Sequence, residues 1–253
     1  MLFIYFAFFP FMIFSNYYGQ HLQDKYLNEV FFKNKINGYF VDLGSNNGIY
    51  INNSFFFEKN LNWKGLCVEP HPNLFLTLIE NRTKSKCLNI GAGIVNGLFT
   101  FKKIIETCNS LDKDLPSCWS GILENYSESH AMRVDDWIFK FNATYELVTI
   151  DVLNINEILN QTESFDIDFL SMDIEGNELE ILKAIDWKKF NIKVVLVENN
   201  DNECTFRNFM KTVDYNFITR IGFDDVYAKN GVVYDLVAQE KFFKLNPDSI
   251  INY

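Results

Sequence analysis

The sequence predicts an α/β fold: a mostly parallel, Rossmann-like sheet with helices on both faces and a C-terminal antiparallel hairpin. Three observations predict it. Short apolar runs alternate with segments of helical spacing, the pattern of parallel strands joined by right-handed crossovers. Several of these runs end in an acid, and the first opens into a glycine turn. Near the C-terminus two apolar runs are separated only by residues 222–225, a link short enough to allow nothing but antiparallel pairing.

Each element has its own signal. Leu22, Tyr26, Leu27, Val30 and Phe31 make one apolar face of a helix over 20–33. Tyr39-Phe40-Val41 is a buried strand that enters a turn at Asp42, and a helix is expected over 49–60. Gly65-Leu66-Cys67-Val68 is a second strand, closed by Glu69; Pro70 and Pro72 stop it and open a helix over 73–81. A third strand covers 86–90. Residues 96–145, with Pro116, Trp119 and Trp137, lack a clear period and predict an irregular insertion, a lid or a substrate-facing segment. A strand over 147–151 and a helix over 154–160 follow. Residues 168–172 form a strand closed by Asp173, 178–184 a helix, and 193–197 a strand closed by Glu198. A helix over 204–213 precedes the two hairpin strands, 216–221 and 226–229. There is no internal repeat.

The 253 residues suffice for one large domain, and no linker of Pro, Gly and Ser divides them. The expected organisation is an apolar leader over 1–19 and a single domain over 20–253, with the insertion at 96–145. A net charge of -10 without a local basic patch argues against a nucleic-acid partner. The five cysteines show neither CxxC nor zinc spacing; Cys67 reads as core, and Cys108 and Cys118 flank a loop and could pair in an oxidising compartment. His21, His71 and His130 are dispersed, so no metal site is expected, although Asp173 with Glu175 could hold magnesium. Five N-x-S/T sequons, the first at Asn52, are what an Asn-rich chain produces by chance. Residues 1–14 are apolar but short of the roughly 20 residues of a membrane span. They read as a signal, an anchor or a packed helix, which leaves localisation open between the cytoplasm and a membrane or secretory route.

The chemistry lies where the strands end, because ligands of an open parallel sheet bind outside its carboxyl edge. Gly44 and Gly48 let the backbone of Asp42-Leu43-Gly44-Ser45-Asn46-Asn47-Gly48 pass close to a ligand, and Asn46 tolerates a left-handed conformation. The following helix is expected to offer free N–H groups. A pyrophosphate site would have G-x-G-x-x-G. Here an acid precedes the turn, which repels phosphate and favours a ligand carrying positive charge, such as the sulfonium and ammonium of S-adenosylmethionine. Glu69 is placed to accept hydrogen bonds from ribose hydroxyls. In Asp173-Ile174-Glu175-Gly176-Asn177-Glu178, Glu178 reads as a helix-start acid. Asp173 closes a buried strand and reads as a general base or as the group that orients a nucleophilic hydroxyl.

Residues 39–48, 63–72 and 167–178, with the upstream Gln20, Gln23 and Asp24, resemble the FkbM-type methyltransferases over roughly 20–230. The resemblance implies a class I methyltransferase fold, S-adenosyl-L-methionine as cofactor, and O-methylation of a sugar, glycan or other small hydroxyl compound. It implies that Asp42, Gly44, Ser45, Asn46 and Gly48 hold the methionine part and Glu69 the ribose. Asp173 and Glu175 match the family's D-x-E-G segment and are the candidate catalytic pair. The rival readings are a nicotinamide-dependent oxidoreductase, disfavoured by the missing G-x-G-x-x-G, and a non-catalytic binding protein that keeps the fold.

Overall fold

A computed structural model describes residues 16–105 and 116–250. The leader over 1–14 and Cys108 lie outside the described residues, and no described helix is long and apolar enough to cross a membrane.

The chain enters through α1 (Gln23–Tyr26), which widens into a π-helical stretch over Leu27–Phe32. It then lays down β1 (Tyr39–Leu43), α2 (Phe55–Leu61), β2 (Lys64–Val68), α3 (Pro72–Asn81) and β3 (Lys86–Leu88). It next leaves the main sheet to form β4 (Gly91–Gly93), β5 (Gly97–Ile105), β6 (Gly121–Ile122), α4 (Glu128–Lys140) and β7 (Thr144–Asn154). Through α5 (Ile155–Leu159) it returns to β8 (Asp166–Met172), α6 (Glu178–Ala184), β9 (Asn191–Glu198) and α7 (Cys204–Thr212). It finishes with β10 (Tyr215–Ile221), β11 (Asp224–Lys229) and α8 (Leu236–Leu245).

The main sheet has the order β3-β2-β1-β8-β9-β11-β10. The first five strands are parallel, and β11 is antiparallel to both of its neighbours. This is the class I methyltransferase arrangement that the sequence predicts. Strand order reverses between β1 and β8, so the crevice above that pair is the place for a ligand.

Successive residues of a strand point to opposite faces, and both faces of this sheet are covered. Val41, Leu43, Val68 and Met172 pack under α5, α6 and α7. Phe40, Cys67 and Phe169 meet Phe56, Phe57 and Trp63 on the other face, with Phe242 of α8. This two-sided burial explains why the strands read as continuous apolar runs.

Two expectations need correction. The helix expected over 49–60 begins only at Phe55. Side chains of the intervening loop compete for its backbone: Asn47 Oδ1 accepts from the N–H groups of Ile49 and Tyr50, and Asn52 Oδ1 from those of Ser54 and Phe55. No helix N-terminus therefore stands directly after the glycine turn. The insertion is also regular where it is described. β7 pairs with β5 antiparallel along the full length of β5, and with β4 and β6 they form a second sheet, β4-β7-β5-β6. The sheet has its own small core of Phe101, Ile122, Ile150 and Val152.

Candidate active site

The carboxyl edge of the main sheet opens into a cleft with about 920 Å³ of free space, its mouth included. Register explains what gathers there. Leu43 lies opposite both Val68 and Met172, so the next residues, Gly44, Glu69 and Asp173, emerge side by side. Gly44 has a φ of 84°, and a Cβ on it would lie 1.7 Å from the carbonyl oxygen of Asp173. Only glycine lets the first turn come this close to the end of β8.

Gly44, Asn46, Glu69, Asp173 and Glu175 all line the cleft. The side chains of Asp42 and Ser45, and Gly48, are placed behind the turn instead. Asp42 falls on the same face of β1 as Phe40, and its Oδ2 accepts from Asn52 Nδ2 at 2.9 Å and Ser54 Oγ at 2.6 Å. Ser45 Oγ donates to the Asp42 carbonyl. The Gly48 carbonyl accepts from Arg82 Nε at 2.7 Å. Arg82 is wholly buried and also reaches Asn52, Ser54, Glu58 and Asp42. These residues fix the shape of the turn. Asn52, the first sequon, is committed to this network.

Glu69 is held by two backbone donors, His71 N to Oε1 at 2.8 Å and Asn46 N to Oε2 at 2.7 Å. Each oxygen keeps a further lone pair for a ligand. Burial pushes its pKa up to about 7, against those two hydrogen bonds. Beyond it Val68, Pro70, Leu74, Ala92, Phe101 and Ile122 make an apolar wall. Ser117, Cys118 and Trp119 approach from the insertion, and Asn46 Nδ2 donates to Cys118 Sγ at 3.0 Å.

At the other end of the cleft the segment after β8 turns sharply. Glu175, Gly176 and Asn177 all have positive φ, at 59°, 124° and 75°. Backbone of this kind in a non-glycine residue stores strain and concentrates at functional sites. Glu178 latches the turn by accepting from the N–H groups of Ile174 and Gly176, a more specific duty than a helix-start acid. Asp173 Oδ1 and Glu175 Oε2 are shielded from solvent and have no hydrogen-bond partner. Burial first, then the charges of Asp224, Glu178 and Asp42, push Asp173 well above the usual carboxylate range. Glu175 and Glu198 are raised likewise, by burial and by neighbouring acids.

Sequence reasoning noticed Glu198 only as an acid closing a strand; the structure brings it into the cleft beside Asp173. It also missed Phe101 and Ile122, although the alternation Phe99-Thr100-Phe101-Lys102 was a legible strand signal. Of the histidines, His71 caps α3 through Nδ1 and does not line the cleft. His130 stands with Nε2 3.7 Å from Glu175 Oε2, and burial pushes it down to about 4. The upstream Gln20, Gln23 and Asp24 strap the chain across the sheet edge. Gln20 lines the cleft, Gln23 donates to Asp224 Oδ2 at 2.6 Å, and Asp24 accepts from Tyr18 N.

So many raised acids set the pH dependence of stability. Burial pushes Asp24 up to about 6 and Glu69 and Asp224 up to about 7. These groups hold protons more tightly folded than unfolded, so their contribution is largest at low pH and is lost as pH rises through 6–7. The buried histidines act in the opposite sense, but only below about pH 6.5. The ligand-free chain is therefore expected to melt higher at pH 6.5 than at pH 8. A thermal-unfolding series that is flat or rising across this window would refute the assignment.

The electrostatics argue against a pyrophosphate ligand. Among the described residues no lysine, arginine or histidine lines the cleft, whereas four carboxylates do. A sulfonium and an ammonium are the complementary charges, which fits S-adenosylmethionine and not a nicotinamide dinucleotide.

Comparison with known proteins agrees. A model of the methyltransferase FkbM domain matches residues 42–227. Among solved structures, methyltransferase FkbM from Methylobacillus flagellatus KT is 15% identical with a TM-score of 0.44, over 76% of this chain and 43% of that one. The chain thus spans less than half the length of that relative. A protein of the NADB-Rossmann superfamily from Streptococcus agalactiae is 14% identical with a TM-score of 0.42, over 91% of this chain and 76% of that one. Precorrin-6y C5,15-methyltransferase from Geobacter metallireducens GS-15 is 10% identical with a TM-score of 0.39, over 83% and 87%. A search of curated proteins gives no match. With the family model covering most of the chain from the glycine turn to β11, the protein belongs to the FkbM methyltransferase family, whose cofactor is S-adenosylmethionine.

Proposed function

We propose that this protein transfers a methyl group from S-adenosylmethionine to a hydroxyl oxygen of a small acceptor, a sugar or related compound. The observation that carries this reading is the buried Asp173 carboxyl beside the Gly44 turn, whose Oδ1 has no hydrogen-bond partner. An alcohol gives up its proton reluctantly, so its methylation calls for a base at the point of transfer. A buried carboxylate whose proton affinity is raised suits that task better than an ordinary surface acid.

When bound, the cofactor supplies a methyl carbon made electrophilic by its sulfonium. Gly44 and Asn46 would border its methionine end, and Glu69 would accept from the ribose hydroxyls. The apolar wall around Leu74 and Phe101 would take the adenine. Asp42, Ser45 and Gly48 serve by holding the turn in shape. Asp173 would take the acceptor's hydroxyl proton at its carboxylate, and Glu175 would orient the acceptor.

Glu69→Gln is expected to weaken S-adenosylmethionine binding at least about tenfold, since a charged acceptor contributes roughly 1.5–3 kcal/mol. Affinity of the parent should rise as pH passes about 7, where Glu69 loses its proton. Calorimetric titration at pH 6 and pH 8 checks both; equal affinities for parent and variant would remove Glu69 from the site. The acceptor is sought by incubating the protein with methyl-labelled cofactor and a panel of sugars and small alcohols, followed by mass spectrometry. Tight cofactor binding without label transfer to any of them would favour a binding protein.

A further inference from the structure

β2 and β3 carry a pair of cysteines that the cleft does not use. The two strands run parallel, and their register sets Cys67 opposite Cys87. Both side chains fall on the face of the sheet that carries Phe40 and Phe169. There Cys67 is wholly buried, and Cys87 packs half-buried against the same core. Neighbouring strands lie about 4.7–4.9 Å apart, inside the roughly 4.4–6.8 Å between Cα atoms that a disulfide spans. The two thiols already touch. Cys67 donates a hydrogen bond to the sulfur of Cys87, and Cys87 Sγ donates to the Ser85 carbonyl at 3.8 Å.

The two sulfurs differ in access and in acidity. β3 is an edge strand, so Cys87 has a neighbouring strand on one side only, whereas Cys67 stands between β1 and β3. The hydrogen bond from Cys67, with the charge of Arg82, holds the Cys87 thiol below its ordinary range against the effect of burial. Burial pushes the Cys67 thiol up. Thiolate is the form that attacks an oxidant, so Cys87 is the nucleophile of the pair and Cys67 the sulfur that resolves it. The other described cysteines are placed differently: Cys118 meets Asn46 in the cleft, and Cys204 opens α7 at the surface.

We propose that Cys67 and Cys87 form a redox site, closed to a disulfide by hydrogen peroxide and reopened by a dithiol. In the first step the Cys87 sulfur attacks one peroxide oxygen and the O–O bond breaks. The thiol proton leaves with the other oxygen as water, and Cys87 becomes a sulfenic acid. In the second step the Cys67 sulfur attacks the Cys87 sulfur and the S–O bond breaks; the Cys67 proton leaves with the hydroxyl as a second water. The two thiols together lose two electrons, which the peroxide gains. The bond joins β3 to β2 just ahead of Glu69, whose N–H donates to the Leu88 carbonyl at 3.1 Å. The site goes beyond the proposed methyl transfer and is tested without it.

The test exposes the full chain to hydrogen peroxide with dimedone as the trap for sulfenic acid, and maps linked and labelled peptides by mass spectrometry. The expected result is a linked pair, Cys67 with Cys87, that disappears on treatment with dithiothreitol. Cys67→Ser should stop at the first step, so that dimedone labels Cys87 severalfold more than in the parent. Cys87→Ser should leave Cys67 reduced, because the buried thiol does not meet the oxidant. Circular dichroism of each reduced variant is the folding control, and the map of the parent decides alone should the buried serine prevent folding. A parent in which both cysteines stay reduced while Cys204 oxidises overturns the proposal. So does a disulfide that joins either of them to a different cysteine. Oxidation of Cys67 in a folded Cys87→Ser chain would overturn the assigned order of attack.

Discussion

Arg82→Met is expected to cost about 3–5 kcal/mol of folding stability, the usual loss when one partner of a buried charge cluster is removed. For a chain of this size that corresponds to a fall of roughly 6–20 °C in melting temperature. The guanidinium is wholly buried and answers two acids, Glu58 at 3.3 Å and Asp42 at 3.8 Å. It also donates to the Gly48 carbonyl, Asn52 Oδ1 and Ser54 Oγ, and lies over the rings of Phe40 and Phe55. Methionine fills similar volume and keeps the aromatic contacts, but leaves Asp42 and Glu58 without a counter-charge. Arg82→Lys should recover part of the loss, since one ammonium cannot reproduce donors that point in several directions. Chemical unfolding of parent and variants measures the difference, and a loss below about 1 kcal/mol in Arg82→Met would show the cluster to be slack.

This network also marks the limit of what the sequence could say about the site. The glycine turn, Glu69 and the Asp173 segment were legible because each lies where a buried strand ends, and apolar runs locate strand ends well. Which way Asp42 points was not. The period of a strand puts Asp42 on the side of Phe40, but only packing reveals that this side is roofed by Asn52, Ser54 and Arg82. The late start of α2 has a similar cause. The apolar residues after Ile49 suit a helix, yet Asn47 and Asn52 offer its backbone nearer partners. Parallel strand order was implied by alternation, whereas the second sheet depends on β5 finding β7 some forty residues away, a pairing that local pattern does not encode. Glu198 was visible as an acid closing β9, and only the register with β8 makes it a neighbour of Asp173.

Asp173→Asn is expected to lower methyl transfer by about 10²–10⁴-fold, the usual contribution of a general base, with little change in cofactor affinity. Loss of fold is not the cause to expect. Asp173 is raised by burial and by the acids around it, so its charge opposes folding above the ordinary carboxylate range. The amide should therefore melt higher than the parent at pH 8 while turning over far less, which is the trade of stability for activity that strained sites make. The pH profile separates a base from a spacer. Turnover of the parent should climb with pH as Asp173 loses its proton, and the residual rate of the variant should not share that limb. Full turnover in the variant would remove Asp173 from the chemistry.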